Sequence, residues 1–103
     1  MNNYKKNEIL NLANSFLEEK IGSIELSRKV IRLAYELGFQ ESDEIDSFKA
    51  LESQTDHLPI GTLREKYSVE RLIEIDKEIK DYEDFYRDSI TNACQKLIGK
   101  YLI

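Results

Sequence analysis

The sequence predicts an all-α fold: an antiparallel bundle of four main helices, with a short extra helical turn before a long C-terminal helix. Three observations carry this expectation. Helix breakers are scarce, with one proline and four glycines in 103 residues. Apolar residues recur at spacings of three and four along nearly the whole chain. No segment alternates with the two-residue period of a strand. A chain of this length forms one domain around one core.

The elements follow in order. Ile9, Leu12, Ala13, Phe16, Leu17 and Ile21 place a first amphipathic helix at about residues 4–21, with Gly22 positioned to end it and Ser23 to cap the next. The second, over 24–37, carries Ile24, Leu26, Val30, Ile31, Leu33, Ala34, Tyr35 and Leu37. Its wide apolar arc predicts the most buried helix, and Gly38 sits where a left-handed C-terminal cap belongs. Ser42 then caps a shorter third helix over 43–53, with Asp43 and Glu44 in the first turn and Ile45, Phe48 and Leu51 on its inner side. Pro59 interrupts the pattern. Thr62-Leu63-Arg64-Glu65 has the form of a capping box and predicts a short helical restart, after which Ser68 caps the last helix. There Leu72, Ile75, Ile79, Tyr82, Tyr86, Ile90, Ala93, Leu97 and Tyr101 recur at a mean spacing of about 3.6, the period of a straight helix rather than of a left-handed coiled coil. Unbroken over 69–101, it would run roughly 50 Å, and one end would overhang the shorter helices or pack on a second copy.

Composition excludes several functions. The net charge of −5 argues against nucleic-acid binding, which needs surplus Lys and Arg for phosphate contacts. No apolar run approaches a membrane span, and the N-terminal segment lacks the apolar stretch of a secretory signal. With a single cysteine, Cys94, these features predict a soluble cytoplasmic protein. The charge is unevenly distributed. Residues 1–40 and 61–103 are nearly neutral, whereas residues 41–60 hold six acids (Glu41, Asp43, Glu44, Asp46, Glu52, Asp56) and one base, Lys49. The whole excess of negative charge belongs to that block.

Catalytic and metal chemistry find little support. Cys94 and His57 are each alone of their kind, and Cys94 adjoins Ala93 beside the interior stripe, which predicts a packed thiol. A helical dimetal site built on two Glu-x-x-His elements needs two histidines. No glycine-rich phosphate loop is present. The expectation is a protein that is not an enzyme and carries neither metal nor cofactor.

Two features remain. The corner Ser53–Gly61, "SQTDHLPIG", gathers the only histidine and the only proline beside Asp56. Its architectural reading makes Asp56 an Asx-turn acceptor paired with Arg64, and His57 a donor to a carbonyl freed at the end of the third helix. On that reading Asp56→Ala lowers stability more than His57→Ala. The second feature is "DYEDFYRD", which puts Asp81, Asp84 and Asp88 along one side of the last helix and Tyr82 and Tyr86 one turn apart on another. The tyrosines either continue the core stripe or, turned outward beside carboxylates, anchor an interface.

The stretch "FLEEKIGSIELSRKVIRLAYEL", then "SQTDHLP" with Gly61 and Arg64 following, then a long helix ending "RDSITNACQKLI", resembles a set of small acidic all-helical bacterial proteins. Some of these are associated with immunity to polymorphic or contact-dependent growth-inhibition toxins. The resemblance spans most of the chain, and Thr55-Asp56-His57-Leu58-Pro59 is its distinctive part. It implies an inhibitor that covers the basic cleft of a cognate toxin domain, a nuclease or another enzyme, with an acidic surface. The expected contact residues are Asp43, Glu44, Asp46, Asp56 and His57, joined by Asp84 and Tyr86. The competing expectation is a homo-oligomeric helical scaffold or regulator, a homodimer through the long C-terminal helix, in which the acids only maintain solubility.

Overall fold

The computed structural model describes residues 3–101, which form a bundle of four main helices: α1 (Asn3–Leu17), α2 (Ser23–Leu37), α3 (Asp46–Thr55) and α4 (Val69–Tyr101). A 3-10 turn, Asp43–Ile45, leads directly into α3, and a second, Gly61–Lys66, precedes α4. Polar contacts between elements show that successive helices run antiparallel. Lys5 at the start of α1 meets Glu36 at the end of α2 (2.8 Å), Arg28 early in α2 meets Thr55 at the end of α3, and His57 just beyond α3 meets Glu78 early in α4 (3.0 Å). At the opposite end Glu44 meets Lys100 (3.4 Å).

The core is the stripe that periodicity predicts. Ile9 and Ala13 of α1, Ile24, Leu26, Val30, Leu33 and Ala34 of α2, Phe48 and Leu51 of α3, and Ile75, Tyr86, Ile90, Ala93, Cys94 and Leu97 of α4 are buried together with Ile45 and Leu58. Seven of the fifteen residues of α2 are buried, in keeping with its wide apolar arc. Tyr35, read as part of that arc, instead faces outward. As a tyrosine it keeps its hydroxyl in water at the arc's edge. The unbroken α4 sets the 46 Å long dimension of the molecule. Among the described residues no helix is long and apolar enough to cross a membrane.

The helix ends show where local signals compete. Gly38 adopts the left-handed conformation (φ 81°), and the bonds from the Phe39 N–H to the Ala34 carbonyl (3.0 Å) and from the Gly38 N–H to the Tyr35 carbonyl (3.3 Å) form the expected Schellman closure of α2. The first helix stops earlier than predicted. Glu19, not Gly22, takes the left-handed position (φ 62°), with the Lys20 N–H on the Ser15 carbonyl (2.8 Å) and the Glu19 N–H on the Phe16 carbonyl (2.9 Å). Gly22 is consequently freed to be the N-cap of α2 in extended conformation, and Ser23, expected as that cap, is the first helical residue. The third helix begins as a 3-10 turn with Ser42 at its head. That serine's hydroxyl donates to the Phe39 carbonyl (2.9 Å) instead of accepting a first-turn N–H. The restart after Pro59 occurs, but its cap position is Ile60, so Thr62 lies inside the turn and the capping box does not form. Ser68 caps α4 as expected, its Oγ accepting the Arg71 N–H at 3.2 Å.

Candidate protein-binding face

The corner between α3 and α4 is built on Leu58 and Pro59, both buried, which plug the open end of the bundle while Asp56 and His57 stay exposed. Where α3 ends, the Thr55 carbonyl accepts the Leu58 N–H at 3.0 Å, and a side chain of α2 supplies the further donors. Arg28 Nη2 donates to the Thr55 carbonyl at 2.5 Å and to the Leu58 carbonyl at 2.9 Å. The Thr55 hydroxyl, buried, donates back to the Leu51 carbonyl (2.7 Å). This corrects the expected wiring of the corner. His57 is not the donor to the freed carbonyl; its Nε2 lies 3.0 Å from Glu78 Oε1, tying the corner to α4. Arg64 does not pair with Asp56 but with Asp76 (2.7 Å), and that carboxylate holds the guanidinium above its ordinary pKa. Asp56 has only a 4.0 Å approach to His57 Nδ1, so the stabilising role assigned to it falls to Arg28.

The predicted contact residues divide between the two ends of α3. Asp43, Glu44 and Asp46 lie at its start and Asp56 and His57 just past its finish; ten residues of helix, about 15 Å, separate Asp46 from Asp56. They do not form one compact patch. What unites the two ends is the seam between α3 and α4, which opens into two clefts. Near the start of α3 a cleft of about 190 Å³ is lined by Asp43, Glu44, Ser47, Ser89, Asn92, Ala93 and Lys96. Near its finish a shallow groove of about 420 Å³ is lined by Gln54, Glu78, Asp81, Tyr82 and Phe85. Four carboxylates and one lysine thus line the seam.

Individual acids differ in how far they are already neutralised. Asp43, Asp46 and Asp81 are exposed and make no ion pair among the described residues. Glu44 is half-buried and held below the usual carboxylate range, chiefly by its own backbone N–H, with Lys100 contributing. Asp84 is held by Lys80 and Arg87, each at 2.7 Å, and Lys80 in particular keeps its carboxyl below the ordinary value. Asp84 therefore carries little free field toward a partner.

Tyr86 is a correction. It is 8% exposed, inside the core, and its hydroxyl accepts a hydrogen bond from Gln54 Nε2 at 2.7 Å. The 3.6-residue row that contains it is the core row, so a tyrosine in phase with Ile90 turns inward. The exposed aromatic is its neighbour Phe85, at 80%, which the sequence reading passed over. The available signal was its phase: Phe85 falls outside the buried row, and Glu78, Asp81, Tyr82 and Phe85 share the i, i+3, i+4, i+7 spacing of one helical stripe.

Cys94 is fully buried, and burial pushes its thiol up to about 12, which keeps it protonated and unreactive. Along α4 it lies sixteen residues, about 24 Å, from the Glu78 that holds His57, so the two do not meet. Comparison with family models, curated proteins and solved structures finds no match for this chain.

Proposed function

We propose that this chain is an immunity-type inhibitor that binds a cognate toxin domain along the α3–α4 seam and occludes that domain's basic cleft. One observation carries the reading: the carboxylates of the 41–60 block at one end and those of α4 at the other line a single seam whose clefts hold four acids and one lysine. Along that seam Asp43, Asp46 and Asp81, exposed and outside any ion pair among the described residues, supply negative charge that steers a basic partner and rejects a similarly charged one. Inhibition requires no chemistry from this chain, only coverage. Discrimination among toxins then rests on side-chain fit and on charges mismatched with the wrong partner.

The test begins with the gene immediately upstream, where the reading expects a large toxin-like reading frame, and proceeds to co-expression with the C-terminal domain of that product. Rescue of growth together with a stable complex is the expected result; no rescue and no binding at micromolar concentration would sink the reading. Given a complex, the double charge reversal Asp43→Lys, Asp46→Lys is expected to slow association roughly tenfold at low salt and to flatten its salt dependence, with dissociation little changed. Stopped-flow mixing across a salt series measures both. Unchanged association would remove the start of α3 from the contact surface.

A second reading has an observation in its favour. Val69 and Ile73, 72% and 66% exposed and one turn apart on α4, lie close in sequence to the exposed Leu63 and Tyr67 where α4 extends past the shorter helices. An apolar strip there suits pairing with a second copy. Sedimentation velocity at tens of micromolar decides: a dimer abolished by Ile73→Lys supports self-association, and a monomer at all concentrations discards it.

A further inference from the structure

The groove at the end of α3 is shaped and charged for one kind of side chain, and we propose that it is a docking site for a single arginine projecting from a partner protein. The proposal rests on reading the α3–α4 seam as a protein-binding face, and it names the chemistry that this face recognises.

Four α4 residues, Glu78, Asp81, Tyr82 and Phe85, form the groove with Gln54 of α3. Phe85 offers an open apolar ring, 80% exposed, set edge-on to the buried Tyr86 at 5.2 Å and 71°. Tyr86 is itself fixed by Gln54, so the ring sits on a braced support. Beside it Asp81 has no ion pair among the described residues, and Glu78 spends only Oε1 on His57. No cationic side chain lines the groove. An aromatic ring and two carboxylates lining one groove, Asp81 one turn and Glu78 two turns before Phe85, match a guanidinium, whose plane stacks on the ring while its fork of N–H donors engages the acids. A lysine ammonium would satisfy the charge but leave the ring face without a flat partner. A second copy of this chain is a poor donor. Of its five arginines, Arg28 is committed to carbonyls and Arg64, Arg71 and Arg87 to carboxylates, which leaves Arg32, exposed on α2 one turn before Glu36, as the single donor a second copy could offer.

The test uses the full chain and needs no toxin, so its failure is distinct from a failure of the co-expression experiment. Amide chemical shifts are followed while N-acetyl-arginine amide is added, with the neutral isostere N-acetyl-citrulline amide as control. Millimolar binding is expected, with shifts confined to Gln54 and residues 78–85, and citrulline amide at least fivefold weaker. Asp81→Asn and Phe85→Ala should each weaken the arginine probe about fivefold, while Phe85→Trp retains or strengthens it. Both substituted side chains are exposed, and circular dichroism confirms that the variants keep the fold. Equal shifts with citrulline amide, shifts centred on the Asp43 cleft, or both variants titrating as wild type would overturn the proposal. A dimer that the arginine probe dissociates would also overturn it, by assigning the groove to self-association.

Discussion

Replacing Arg28 with alanine is expected to lower the unfolding free energy by about 3 kcal/mol. Its guanidinium bonds two carbonyls, those of Thr55 and Leu58, from a different helix. The Thr55 carbonyl also accepts the Leu58 N–H at 3.0 Å, so Arg28 adds its second bond there and serves the Leu58 carbonyl as well, where Leu58 and Pro59 are buried against the bundle's end. A hydrogen bond from a charged donor contributes about 1.5–3 kcal/mol, and one arginine serves both acceptors with a single loss of side-chain entropy. The positive charge also faces the negative end of the α3 dipole. Arg28→Lys is expected to recover less than half of the loss, because the shorter stem does not carry an ammonium to the point between the two oxygens that Nη2 occupies. Asp56→Ala, by contrast, should stay within about 0.5 kcal/mol, as expected for an exposed side chain without a hydrogen bond. Urea unfolding followed by circular dichroism orders the three variants. A loss at Asp56 equal to that at Arg28 would return the corner to its own residues.

Arg28 also marks the boundary of what the sequence could reveal. Helix positions were legible because burial acts through a period, and the period is written in Ile75, Ile79, Tyr82, Tyr86 and Ile90 irrespective of what they touch. Caps were legible only where the bond is local, as at Gly38 and Ser68. The end of α3 and the start of α2 are capped from twenty-seven and some sixty residues away, by Arg28 and Glu83, and no local pattern announces such partners. A faint trace exists for Arg28, which stands between Ile24 and Ile31 within the apolar arc of α2, where a cation is kept only if it finds acceptors. At the candidate site the acidity of 41–60 was plain. That its two ends lie on opposite ends of α3 already follows from a helix placed over 43–53, whereas the groove that α4 forms between Gln54 and Phe85 depends on tertiary packing. The corner's cluster of unusual residues drew attention to Asp56, yet rarity in composition carries no information about hydrogen bonding.

Glu83→Ala is expected to cost about 1.5–2 kcal/mol, and a cap supplied at Gly22 is expected to repair most of it. The N-cap Gly22 offers no side chain to the first N–H groups of α2, and the Glu83 carboxylate, reaching over from α4, accepts those of Ser23 and Ile24. Losing an N-cap acceptor costs about 0.5–2 kcal/mol. Gly22 is extended (φ −75°, ψ 157°), a conformation open to any residue, so what holds glycine there is space. A Cβ at residue 22 would come within 2.6 Å of Glu83 Oε2. Gly22→Ala alone should therefore displace the carboxylate and cost about 1 kcal/mol, while in the Glu83→Ala background it should be nearly neutral. Gly22→Asp in that background should regain about 1 kcal/mol by capping locally. Additive behaviour in this cycle would show that the glycine and the carboxylate act independently. The pH dependence supplies a second check. Burial pushes the Glu83 carboxyl above its ordinary value, with the two N–H donors pulling partly back. The folded state thus binds its proton more tightly than the unfolded chain, and this contribution, complete below the unfolded pKa, is lost as pH rises through the folded one. Glu83→Gln removes the titration but keeps an acceptor oxygen, so its deficit relative to wild type should be smaller at pH 7 than at pH 4. A deficit that grows with pH would mean that the ionised carboxylate, and not a neutral acceptor, is what α2 requires.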